Sequence, residues 1–192
     1  MVMRYTDIES TLNRLARELN WGSPHRVDRD PSQGIVRQIT WDVLPDIQLH
    51  YFEDATSGST FLVVTGQPPE LTASLIDLVE DHFKPYSFDE LLEDVDRAAP
   101  ANKPLALLRA GLGSPEHFDA RFYQRFKKSL ADTDAGTDIR RAALWATTYA
   151  LWTESRELYT WAAEMDPSAD IRREARMLLE AEVRQVSWHA DE

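Results

Sequence analysis

The chain has no cysteine. That excludes disulfides, thiolate metal sites, iron–sulfur clusters and thiol nucleophiles together, and it fits the cytoplasmic location expected here. No apolar run approaches the length that crosses a bilayer. The first residues, MVMRYTDIES, turn polar too early for the apolar core of a signal peptide. Histidine is sparse, and His25, His50, His82, His117 and His189 share no metal-ligand spacing. G-x-S-x-G, which would carry a hydrolase nucleophile, is missing. Gly111 and Gly113 lack the G-x-G-x-x-G pattern and a preceding strand, so they read as a helix-ending turn. No catalytic residue, metal ligand or cofactor is therefore assigned. The sequence reads as a binding protein rather than an enzyme.

Basic residues are also missing from one long stretch. Residues 70–96 hold nine acids against Lys84 alone. The whole chain of 192 residues carries a net charge of -12, and 18 of its acids against 8 of its bases lie in residues 1–100. Such a field repels phosphate backbones and attracts basic surfaces. The expected partner is another protein with a basic surface, and nucleic acid and membrane are disfavoured. The candidate contacts are Glu80, Asp81, Asp89, Glu90, Glu93 and Asp94. DELLEDVD (89–96) lacks the glycine and D-x-D-x-D spacing of a calcium loop. Its Leu91, Leu92 and Val95 instead fit a helix with one apolar and one acidic face.

What is present suffices for a core: 43% of residues are hydrophobic, including six tryptophans. Residues 6–20 have Ile8, Leu12, Leu15 and Leu19 at helical spacing, with Thr6 and Glu9 as a capping box. A Gly/Pro/Ser/Asp-rich loop follows, then three strand-like segments at 35–43, 46–53 and 59–66. In the first, Ile35, Ile39, Trp41 and Val43 share a face with Arg37. The helix at 70–83 places Leu71, Leu75, Leu78 and Val79 on one stripe. Residues 1–84 are thus expected to form an α+β unit, a three-stranded antiparallel sheet with two helices.

Beyond Lys84 the strand signal stops. Helices are expected over 87–98, 103–111, 115–131, 137–152, 154–165 and 168–185, as a stack of antiparallel hairpins covering 85–192. Ser114-Pro115 and Asp166-Pro167 supply cap-and-proline starts. The pattern D-x-x-x-D-I-R-R-x-A occurs twice, at Asp134–Ala143 and Asp166–Ala175. Asp138 and Asp170 stand where a carboxylate can cap free N–H groups. Arg140, Arg141, Arg172 and Arg173 follow, and in a stack one arginine can reach the aspartate of the neighbouring turn. A lone helical hairpin cannot bury its apolar face, whereas stacked copies can.

Two further stretches carry aromatic residues. Trp145, Tyr149 and Trp152 lie on one helical stripe, either a buried face or an aromatic pocket. RFYQRFKKSL (121–130) interleaves bases with Phe122, Tyr123 and Phe126. It reads as packed phenylalanines with Lys and Arg reaching outward.

The duplicated DIRR run resembles HEAT repeats, most closely the short variety of phycobilin-lyase-like proteins, over roughly 115–185. The resemblance implies an α-solenoid, mostly of protein-binding function. The expected function is a bacterial-type adaptor or inhibitor, in one version an immunity-type protein that neutralises a basic partner. Alternatives are a chaperone for a secreted protein, from the α+β start, and a repeat-class enzyme such as a DNA glycosylase or bilin lyase.

Overall fold

Period-two alternation over residues 38–66 builds an antiparallel sheet. A computed structural model describes residues 1–5, 8–30 and 37–189, with 182–189 as backbone alone. The chain divides into two compact units, Met1–Ser87 and Phe88–Glu192.

In the first unit, strands β1 (His25–Val27), β2 (Gln38–Leu44), β3 (Ile47–Asp54) and β4 (Ser59–Gly66) lie in that order, each antiparallel to the next. Ile39, Trp41, Ile47, Leu49, Tyr51 and Leu62 point to the buried face. Helices α1 (Glu9–Glu18) and α2 (Pro69–Phe83) add Leu12, Leu15, Leu75, Val79 and Phe83 to that core. Each such side chain contributes about 1.5–3 kcal/mol by leaving water. The other face carries Thr40, His50, Phe52, Phe61 and Thr65, with the two phenylalanine rings stacked at 4.9 Å.

The sheet has four strands where the alternation indicates three. β1 is only three residues long and has no buried side chain. It is made by pairing with β2, not by its own propensity. The expected capping residue Thr6 and the expected core residue Ile35 lie outside the described residues. The turn between β2 and β3 is closed by Asp46, whose φ is 64°. Gly66 faces it, and an added Cβ there would stand 1.9 Å from the Asp46 carbonyl oxygen, so only glycine fits.

The second unit is helical: α3 (Phe88–Arg97), α4 (Lys103–Leu112), α5 (Ala120–Ala131), α6 (Thr137–Ala150), α7 (Ser155–Met165) and α8 (Ala169–His189). Neighbours in sequence pair as hairpins, and α4 also lies along α6. That contact is close because of residue size. A Cβ on Gly111 would stand 2.3 Å from the Ala146 carbonyl oxygen. Leu107, Phe122, Phe126, Leu130, Leu144 and Ile171 are fully buried around these helices.

The α5 start differs from the expected 115. The Asp119 side chain accepts the Arg121 N–H at 2.8 Å and starts the helix there. The carbonyls of Pro115 and Glu116 instead take the Trp152 indole N–H, at 3.2 Å each. Residues 113–119 are therefore an anchored loop.

Candidate functional site

The two DIRR runs form the same local clasp. Arg140 donates from Nη1 to the Ala135 carbonyl at 2.6 Å, and Arg172 donates from Nη1 to the Asp166 carbonyl at 2.6 Å. In each case the arginine ties the start of its helix to the turn before it. Arg140 does more. Its Nε and Nη2 donate to the two carboxylate oxygens of Asp166, at 3.0 and 3.3 Å, and both side chains are almost wholly buried. This two-pronged pair joins the α5–α6 hairpin to the α7–α8 hairpin. Beside it, Arg141 donates to Glu174 at 3.0 Å, and Glu174 also accepts the Trp145 indole N–H at 2.9 Å.

The expected capping roles move. Asp166 itself accepts the Ser168 N–H at 2.7 Å, and Asp132 accepts those of Asp134 and Ala135 at 3.2 Å. No side-chain cap is made at the start of α6, where Gly136 stands at the cap. Asp138 and Asp170 lie in the first turns, and Asp170 accepts from Arg173 at 2.7 Å. Asp132 and Asp166, each just past the preceding helix, thus hold amides of the turn itself, ahead of Thr137 and Ala169 where the next helices begin.

The candidate partner-binding acids fall into two groups. On α3, Asp89 meets Arg121 at 2.9 Å and Asp94 meets Arg109 at 2.8 Å. Glu93 meets Arg97, and Asp96 is held by Arg125 at 2.6 Å. Glu90 is half-buried on the same helix. Four α3 carboxylates thus meet arginines within the second unit, two of them Arg121 and Arg125 of RFYQRFKKSL. The Arg121 bond also holds the Asp119 carboxyl below its usual range. Phe122 and Phe126 of that stretch are fully buried.

The acids of α2 differ. Glu70, Asp77, Glu80 and Asp81 are all exposed. Asp81 meets Lys84 at 3.1 Å, while Glu70 and Asp77 have no ion-pair partner among the described residues. The expected apolar stripe of this helix is split. Leu75, Val79 and Phe83 go into the core, whereas Leu71 and Leu78 stay 47% and 38% exposed. The sheet contacts only a narrow arc of the helix, and the two leucines lie to one side of it. The result is a surface helix with two exposed leucines between its buried arc and a row of carboxylates, Glu70, Asp77 and Asp81.

No family model, curated protein or solved structure matches this chain. The weight of a functional reading therefore falls on these surfaces.

The aromatic stripe does not converge on one place. Trp145 turns to Glu174 on α8, and Trp152 is buried against the 113–119 loop and the Phe118 ring, 5.5 Å away. Tyr149 is half-buried between them in sequence. A separate shallow cavity of about 600 Å³ lies along α7, edged by Glu154, Glu157, Trp161, Glu164 and Met165.

Sequence reasoning missed one polar cluster in the first unit. Arg37, on the apolar side of the sheet, donates to Glu9 at 2.6 Å and approaches Glu53 at 3.7 Å. Tyr51 donates to Glu53 at 3.1 Å. Burial, then the Glu53 charge, pushes the Tyr51 phenol far up, and the bond to Glu9 raises Arg37. The signal was an arginine at an inward position of a strand. On the opposite face His50 bridges the hydroxyls of Thr40 and Thr65, at 3.0 and 2.8 Å, and burial lowers its pKa. Among the described residues no three acidic or imidazole groups gather as a metal site, and no helix is long and apolar enough to cross a membrane.

Proposed function

We propose that the protein is a non-catalytic adaptor or inhibitor that binds another protein with a basic surface. Its docking face is α2, and its second unit is a HEAT-like helical stack. The observation that carries this reading is the composition of the α2 surface. Leu71 and Leu78 are exposed there, with the exposed acids Glu70, Asp77 and Asp81 along one side of them and Glu80 farther round the helix. Exposed leucines supply apolar contact area, and the row of carboxylates beside them steers and selects a cationic partner. The acids of α3 are engaged by Arg97, Arg109, Arg121 and Arg125, so they serve folding first. An immunity-type role, in which the acidic face covers a basic toxin, is the most specific version. The Arg140–Asp166 clasp and its DIRR context support the HEAT-like reading of the stack.

The test is affinity capture from the source organism's lysate with the full chain and with a Glu70→Lys/Asp77→Lys/Glu80→Lys variant. A stoichiometric basic protein held by the wild type and lost by the folded variant is expected. Equal capture by both chains removes α2 from the binding face.

A further inference from the structure

The repeat clasp is complete in one copy and half-made in the other. Arg140 uses all of its guanidinium: Nη1 on its own turn, and Nε with Nη2 on Asp166 of the next hairpin. Arg172 occupies the same place 32 residues on. Its Nη1 is bound to the carbonyls of Asp166 and Pro167, at 2.6 and 3.0 Å. Its Nε and Nη2 have no partner among the described residues. The edge that in Arg140 grips a carboxylate is therefore presented without one. The neighbours follow the same correspondence. Arg173 stands where Arg141 holds Glu174, and it is 65% exposed and, among the described residues, tied only to Asp170 of its own turn. Met177 stands where Trp145 covers α8, and it is 57% exposed. Over residues 166–176 three arginines match three acids, and of those arginines Arg173 is paired with Asp170 and Arg176 donates to the Ala163 carbonyl at 3.2 Å.

We infer that the α7–α8 hairpin offers a second docking surface, whose occupant is a helical hairpin carrying an aspartate at its inter-helix turn. That aspartate lies on Nε and Nη2 of Arg172 as Asp166 lies on Arg140, and the occupant's second helix covers Met177. The α7–α8 hairpin itself shows what such an occupant looks like, because it docks in this way on the hairpin before it. This surface selects the opposite charge to that favoured by α2.

A disulfide-trapping experiment tests it, helped by the absence of any native cysteine. The full chain carries Met177→Cys. The probe is a synthetic peptide of residues 154–181 with Glu174→Cys, stapled along the exposed face of each helix so that the lone hairpin is helical by circular dichroism, and offered in excess in a glutathione buffer. A crosslink is expected, and its yield should fall about tenfold or more with a peptide that also carries Asp166→Asn, since the two-pronged charged contact is lost. The same fall is expected when the chain carries Arg172→Gln. Asn can still accept the Ser168 N–H, so the peptide's own turn is kept. A yield that does not depend on Asp166, or that is no greater than with a scrambled peptide, overturns the inference. The Asp166→Asn arm decides the matter even where Arg172→Gln disturbs folding.

Discussion

Replacing Gly111 by alanine should destabilise the helical unit, although alanine is the better helix former. Propensity alone favours the change by about 0.8–1 kcal/mol. The structure opposes it. The new methyl would stand 2.3 Å from the Ala146 carbonyl oxygen, 2.7 Å from its Cα and 2.8 Å from its carbonyl carbon. All three atoms are backbone of α6, so no side chain can swing aside. Ordinary contact requires α4 and α6 to part by about 1 Å, and overpacking of this kind costs about 1–3 kcal/mol or more. A gap of that size also forfeits up to about half of each dispersion contact along the seam, where Leu107, Ala110, Ala143 and Ala146 are fully buried. The opposing effects outweigh propensity by about 2 kcal/mol. That lowers the Tm of the helical unit by roughly 8–16 °C. Calorimetry of wild type, Gly111→Ala and Gly136→Ala would read it. Gly136 has nothing within 4 Å of an added methyl, so that variant should stay within about 0.5 kcal/mol of wild type. A Gly111→Ala protein as stable as wild type, or more so, would refute the close α4–α6 packing.

Three further outcomes are expected. Arg140→Met leaves the Asp166 carboxylate buried without its partner and should cost about 3–5 kcal/mol in urea titration; adding Asp166→Asn should recover part of this, because no buried charge remains. His50 has its folded pKa below 6.5, so above pH 6.5 both folded and unfolded forms are neutral. As pH falls below 6.5 the unfolded chain takes the proton first, and stability of the first unit should drop through the folded pKa; His50→Gln should lack this component when urea midpoints are compared between about pH 8 and about pH 5. Leu71→Ser and Leu78→Ser should each change stability by less than about 0.5 kcal/mol while weakening partner capture, because neither leucine belongs to the core.

The helical half was legible where its signals are local. Helical spacing, turn residues and the duplicated DIRR run place the starts of α6, α7 and α8 within one residue, while the end of α8 runs four residues beyond the expected 185, and the reach of an arginine to the next turn's aspartate is realised in Arg140 and Asp166. The misses share one cause. β1 exists through its partner strand, the α5 start depends on Asp119 and on Trp152 holding a distant loop, and the capping aspartates depend on turn length. Each is decided by residues far away in sequence or by geometry that spacing does not encode. The acidic stretch shows the same limit. Composition treats residues 70–96 as one block, yet the α3 carboxylates meet arginines up to 32 positions away while α2 keeps its charges on the surface. Likewise Leu71 and Leu78 satisfy the helical period of Leu75 and Val79, and only the position of the sheet separates them.

The claim that α2 is the docking face is tested most directly by hydroxyl-radical footprinting of the chain alone and with its captured partner. Side-chain oxidation at Leu71 and Leu78 should fall severalfold in the complex, with little change at the equally exposed Leu105 and Phe118 of the helical unit. Unchanged oxidation of Leu71 and Leu78 in a saturated complex would contradict the account.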